Sequence, residues 1–302
     1  MAENNPFPGE NNTGHYWDDN LRELANPPPS WWMIAFWASI LWVVAYGILY
    51  PFWPTATSHT KGVLGWTSMQ EYQEGVAQIQ ETRKEFEDQI AKMTPAEIAQ
   101  DPGLSEYTVA SAKVLFGDHC AACHGSGGAG NVGYPVLADD DWLYGGSFAK
   151  IQESIAGGRQ GAMTAHEKIL TPAEVDQLAN FVVAMHDGGP AAGGEEGWAL
   201  FKAKGCTACH GEKADGVLAK LPNGDVVTVG AANLTDKVWR FEPAAGETPL
   251  DSVKHTILYG VNQAGVKGTR DAVMPGFGTT KKLGEQDIKK LTVYVHQLGG
   301  GK

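Results

Sequence analysis

The sequence predicts an all-α chain, with one membrane-spanning helix near the N-terminus followed by two tandem small helical domains. Three observations carry that reading. An uncharged apolar run extends from Trp31 to Trp53, the C-terminal two thirds repeat themselves, and each copy holds one Cys-x-x-Cys-His. The 302 residues suffice for two or three units of ordinary domain size. A formal net charge of −12 argues against nucleic acid and anionic lipid surfaces as partners. It suits a basic protein partner, although acidity that merely keeps the chain soluble explains it equally well.

Residues 1–30 form an arm with Arg22 against five acids. Pro27-Pro28-Pro29 stops any preceding helix, and Ser30 is placed to cap the next. The span at 31–53 lies inside a stretch, Leu24 to Ser58, free of Asp, Glu, Lys and Arg. At about 1.5 Å per residue it crosses a bilayer core of roughly 30 Å. Trp31, Trp32, Tyr50 and Trp53 gather at its ends as interfacial aromatic belts do. A cleaved signal peptide fits poorly, because the leading region is long and acidic and the apolar run exceeds an h-region. Ala35, Ala38, Ser39, Ala45 and Gly47 among the aromatics favour packing on neighbouring helices.

A polar connector, 54–103, follows. It has a narrow helical stripe of Tyr72, Val76, Ile79, Phe86, Ile90 and Met93, and a helix start at Thr94-Pro95-Ala96-Glu97. The first repeat, 104–187, opens on a helix from Tyr107 to Phe116; the second, 195–302, opens on one from Glu195 to Lys204. Leu137, Asp139 and Trp142 align with Leu234, Asp236 and Trp239, and Ile155–Gly158 aligns with Ile257–Gly260. Closing helices at Pro172–His186 and Glu285–Leu298 end the copies, and 188–194 is a glycine-rich linker. The second copy adds a small β-hairpin at Leu218–Val229 and nine residues before its methionine.

Cys120-Ala-Ala-Cys123-His124 and Cys206-Thr-Ala-Cys209-His210 use all four cysteines. The pattern is that of c-type haem attachment: two thioether links, with the adjacent histidine as an iron ligand. A zinc ribbon is disfavoured by the 86-residue separation, and a disulfide framework by the chain length. Two covalently bound haem c groups follow, and since such haem is attached outside the cytoplasm, the arm is cytoplasmic and the repeats periplasmic. The expected metal ligands are His124, Met163, His210 and Met274, one methionine per copy. Met274 precedes Pro275-Gly276-Phe277, a rigid turn, whereas Met163 precedes Thr164 with His166 as a rival three residues on. The spacing leaves open whether each methionine serves its own repeat. Met185, on a closing helix, reads as core. Trp142 and Trp239 are candidate donors to haem propionates, as are Arg159 and Arg270. With both axial positions filled no site is open to substrate, so no catalytic residue is expected and the chain alone performs only electron transfer.

The residues Asn26-Pro-Pro-Pro-Ser-Trp-Trp32, Tyr50-Pro-Phe-Trp-Pro54, Trp142-Leu-Tyr-Gly-Gly146 and Met274-Pro275, with the two haem motifs, carry a resemblance. The chain resembles the dihaem cytochrome c subunit (subunit III) of cbb3-type cytochrome c oxidases. The resemblance implies two class I cytochrome c domains on one anchor in a bacterial inner membrane. It implies a haem–copper catalytic subunit and a monohaem cytochrome c subunit as partners. It also implies a cytochrome c electron donor, with a cytochrome bc1 complex among the partners that family members bind. Thr164 departs from the methionine–proline pattern. The alternatives are a tethered periplasmic dihaem shuttle outside any oxidase, and a dihaem peroxidase, which the methionine in each repeat disfavours.

Overall fold

Helix α1 (Ser30–Leu49) is long and apolar enough to cross a membrane, by length and composition. The computed structural model describes residues 9–18, 21–189, 193–222 and 224–299. Pro29 occupies the cap position with no side-chain cap bond, and Ser30 is the first helical residue, so the expected serine cap does not form. The helix also stops at Leu49, short of Trp53. Tyr50 precedes Pro51, which pushes it out of the helical region to an extended backbone (φ −115°, ψ 165°). Phe52 and Trp53 then fold back over Gly47, where a Cβ would meet Trp53 Nε1 at 2.9 Å. Val63 N–H and Leu64 N–H donate to the Ile48 and Leu49 carbonyls (2.9 and 3.1 Å), satisfying two carbonyls the helix end leaves free. Ahead of α1, strands β1 (Asn12–Trp17) and β2 (Leu21–Leu24) form an antiparallel hairpin, with Arg22 paired to Glu10. The reading of the arm missed this pairing.

The chain divides into two compact units, Met1–Arg83 and Lys84–Lys302. Helix α2 (Ser68–Lys92) spans the division. The stripe on it is buried only at its end. Tyr72 and Ile79 are exposed, Phe86 stacks on Tyr107 (centroids 4.5 Å apart), and Ile90 is fully buried with Ile98, Leu104 and Val293.

In the second unit, α3 (Pro95–Gln100) starts on the capping box of Thr94 and Glu97. Next come α4 (Pro102–His119), α5 (Ala121–His124), a 3-10 turn at Ser126–Gly128, α6 (Phe148–Gly157), β3 (Arg159–Gln160) and α7 (Pro172–Gly188). The other half holds α8 (Gly194–Ala203), α9 (Thr207–His210), β4 (Ala219–Lys220), β5 (Val226–Val227), α10 (Pro249–Tyr259), β6 (Val273–Met274) and α11 (Glu285–Leu298). β4 and β5 pair as the expected hairpin, Ala219 opposite Val227; Asn223 of its turn lies outside the described residues, as do 190–192 of the linker.

The closing helices are exchanged between the repeats. α11, from the end of the chain, packs its Ile288, Leu291, Tyr294 and Val295 on Ala112 and Phe116 of α4 and on Ile151 and Ile155 of α6. α7, from the end of the first repeat, packs Val175, Leu178, Phe181 and Val182 on Phe201 of α8 and on Val253 and Ile257 of α10. Met185 is fully buried in that second core. Burying one such Leu, Ile or Phe contributes about 1.5–3 kcal/mol.

The crossover runs through one hydrogen-bonded seam. β3 pairs antiparallel with β6, Arg159 opposite Met274. Met163 and Val261 exchange both backbone bonds (3.1 and 2.9 Å). Asn262, at φ 50°, donates from Nδ2 to the Gly161 and Ala272 carbonyls (2.7 and 3.0 Å), tying the two strands together. The aligned glycines make the exchange visible. A Cβ on Gly158 would lie 2.4 Å from the Met274 carbonyl oxygen, and one on Gly260 would lie 2.2 Å from that of Met163. Both have positive φ, so glycine is required twice over at each position.

Candidate cofactor sites

Each Cys-x-x-Cys-His forms a single helical turn, α5 or α9, ending on a glycine of positive φ, Gly125 or Gly211. The turn aims its histidine into a cavity. His124 Nδ1 bonds the Pro135 carbonyl at 2.9 Å, and His210 Nδ1 bonds the Ala232 carbonyl at 2.9 Å. A carbonyl partner places the ring proton on Nδ1 and leaves Nε2 as a free lone pair, the state a metal ligand needs. Burial pushes both imidazoles below their ordinary pKa, which keeps them neutral. Burial likewise pushes the Cys120 thiol up to about 11 and raises that of Cys206.

The cavity around His210 has a volume of about 450 Å³ and is lined by Cys206, Cys209, Met163, His166 and Trp239. The cavity around His124 is smaller, about 140 Å³, and is lined by Cys120, Met274, Trp142 and Arg159. Each methionine therefore faces the histidine of the other repeat. Cys206 and Cys209 line one cavity and Cys120 the other, so the cysteines do not converge on one zinc site. His166 shares the His210 cavity with Met163, its Nδ1 buried without a partner among the described residues.

Trp142 reaches its cavity with Nε1 buried and unpartnered among the described residues. Trp239 instead stacks on His186 (centroids 3.9 Å apart). Arg159 donates from Nη1 to Glu153 at 2.8 Å and keeps Nη2 buried and unpartnered. Arg270 lines neither cavity and donates to Ser252 Oγ at 3.0 Å. The sequence reading missed Arg240, which borders both cavities, and Asn262 in the seam. Arg240 had a signal: aligning Trp142 with Trp239 sets it opposite Leu143, a charge where the other copy is apolar.

Apolar walls, a neutral histidine beside two thiols, a facing methionine and orphaned donors at one edge fit a covalently held porphyrin with acidic substituents. A mostly helical chain with two such turns, behind one helix long and apolar enough to cross a membrane, is a two-domain cytochrome c. Residues 9–57 match the family described as the N-terminal domain of cytochrome oxidase-cbb3, FixP; residues 108–182 match cytochrome c oxidase, cbb3-type, subunit III; residues 194–299 match cytochrome c. A cbb3-type cytochrome c oxidase subunit FixP from Bradyrhizobium sp. (strain ORS 278) is 39% identical over 310 residues, covering 97% of this chain and 96% of that one. The FixP subunit of Azorhizobium caulinodans is 37% identical (97% and 94% covered), and the CcoP subunit of Azospirillum brasilense 35% (100% and 99%). The chain belongs to the FixP/CcoP family of cbb3-type cytochrome c oxidase subunits. Its cytochrome c domains imply covalently bound haem c, and its role is electron transfer within an oxidase.

Proposed function

We propose that this chain binds two haem c groups, one through Cys120, Cys123 and His124 and one through Cys206, Cys209 and His210, with the distal methionines crossed. Met274 completes the iron at His124, and Met163 the iron at His210. The observation that carries the crossing is the lining of the two cavities, each of which holds the attachment turn of one repeat and the methionine of the other. Bound haem supplies a one-electron couple, and a thioether opposite histidine favours the reduced iron. The chain's own residues hold that couple. The Pro135 and Ala232 carbonyls orient the histidines, the two cores exclude water, and Trp142 and Arg159 present donors to a propionate in the first cavity.

In the cell, the chain accepts electrons from a cytochrome c, supplied by a cytochrome bc1 complex, on the periplasmic side of a bacterial inner membrane. It passes them through both haems to the haem–copper subunit, beside a monohaem cytochrome subunit, where oxygen is reduced to water. The arm before α1 is cytoplasmic. Full coverage by FixP and CcoP relatives supports this reading. Mild detergent extraction followed by mass analysis tests it. Co-purification of a haem–copper subunit is expected, with two haems per chain by pyridine haemochrome assay. Recovery of this chain alone, still carrying both haems, would point to the tethered shuttle instead.

A further inference from the structure

The two cavities share an edge made by Gly230, Arg240 and Ala272. Arg240 alone of these brings a charge. Its Nη1 is shielded from solvent with no hydrogen-bond partner among the described residues. No acidic side chain among those residues offsets the burial of its guanidinium; near it lie the Tyr144 hydroxyl, the His124 imidazole and the Phe241 ring, 5.8 Å from the guanidinium carbon. Arg240 is half-buried, and a guanidinium with one nitrogen shielded from both solvent and partner is disfavoured until an anion reaches it.

The neighbouring cations differ in reach. Arg159 lines only the His124 cavity, with Nη1 on Glu153 and Nη2 without a partner among the described residues, and Arg270 lines neither cavity, with Nη2 on Ser252. The repeat alignment gives the pair of domains a single charge here, Arg240 in one copy against Leu143 in the other. A planar guanidinium offers five donors and can bind two carboxylates at once.

We propose that Arg240 is the common counter-ion of both prosthetic groups, its guanidinium set between a propionate of the haem at His124 and a propionate of the haem at His210. This rests on the two-haem reading above. A cation in that place stabilises the reduced form at both irons and fixes the two porphyrin edges against one another. Arg240 is thus a positioning residue for transfer between the haems.

The test is Arg240→Leu in the full, haem-loaded chain, with both midpoint potentials measured by redox titration. Each haem's equilibrium constant for reduction should fall about tenfold, a drop of about 59 mV for a one-electron couple. Arg240→Lys should restore most of it, with haem content and the methionine–iron absorbance unchanged. If the leucine variant fails to load haem, Arg240→Gln, polar but uncharged, should show the same double drop. A shift at one haem only, or at neither with haem content intact, overturns the proposal. A wild-type chain holding a single haem would instead overturn the two-haem reading before Arg240 is tested.

Discussion

Met163, bridged to Val261, and Met274, on β6, lie in backbone-paired segments that cross between the repeats, so exchanging one side chain reports on the opposite attachment site. In a chain carrying Cys206→Ala and Cys209→Ala, only the His124 haem remains. Met274→Leu should then abolish its methionine–iron absorbance band, while Met163→Leu leaves it in place; the reverse outcome removes the crossed assignment. Asp236 gives a second prediction. Burial and a hydrogen bond that its protonated carboxyl donates to Asp141 push Asp236 up to about 7 from 3.8. Folding therefore favours the protonated form, so this group destabilises the fold increasingly as pH rises from about 4 through 7. Asp236→Asn keeps an oxygen for the Val238 N–H, which donates to Oδ1 at 3.0 Å. Thermal unfolding should show the variant more stable than wild type at pH 8 and indistinguishable at pH 4.

Among elements, the seam at Asn262 and the α7–α8 junction matter most. Asn262→Ala strips hydrogen bonds from the Gly161 and Ala272 carbonyls and sets alanine at a positive φ. Denaturant unfolding should report a loss of about 1–3 kcal/mol, with weakening of both methionine–iron bands together. At the junction, Lys204 bonds Glu174 at 2.7 Å and Thr171 adds its cap, holding the Glu174 carboxyl down at about 2 from 4.5. The depressed folded value means its stabilisation is full above about pH 4.5 and lost as pH falls towards 2. Glu174→Gln should flatten the acid limb of the stability curve in that range. The helix at Thr94 and the opening and closing helices of each copy were readable because each signal is local, a threonine–proline start or an apolar face at helical spacing; α6 and α10, ended by Gly158 and Gly260, were read only as aligned repeat segments. The exchange of α7 and α11 was not readable. The two helices bury similar faces against similar partners, and nothing within either says which copy of the partner it meets. The early end of α1 had a local cause, Pro51 acting on Tyr50, which the length of the apolar run hid.

At the scale of the molecule, the exchange makes the two repeats one body in all but sequence. A protease site inserted between Gly189 and Gly193 and then cut should leave the halves together on native gel filtration, separating only in denaturant. Halves that part under native conditions would mean each repeat closes on itself. Lys290 strengthens the tie, its ammonium buried against Glu87 (3.0 Å) and Asp287 (3.1 Å), so the end of the chain is pinned to the end of α2. The exchange also sets an order in time. A chain is made from its N-terminus, and contacts distant in sequence form late. The core around His210 draws on residues 163–258 and takes nothing from α11, so its side chains are all synthesised before the last helix. The core around Phe116 waits for α11, so Cys120, the first thiol synthesised, is the last to be walled in. The pocket begun first is finished last, and a premature stop anywhere before Glu285 spoils the maturation of the site nearest α1 in sequence.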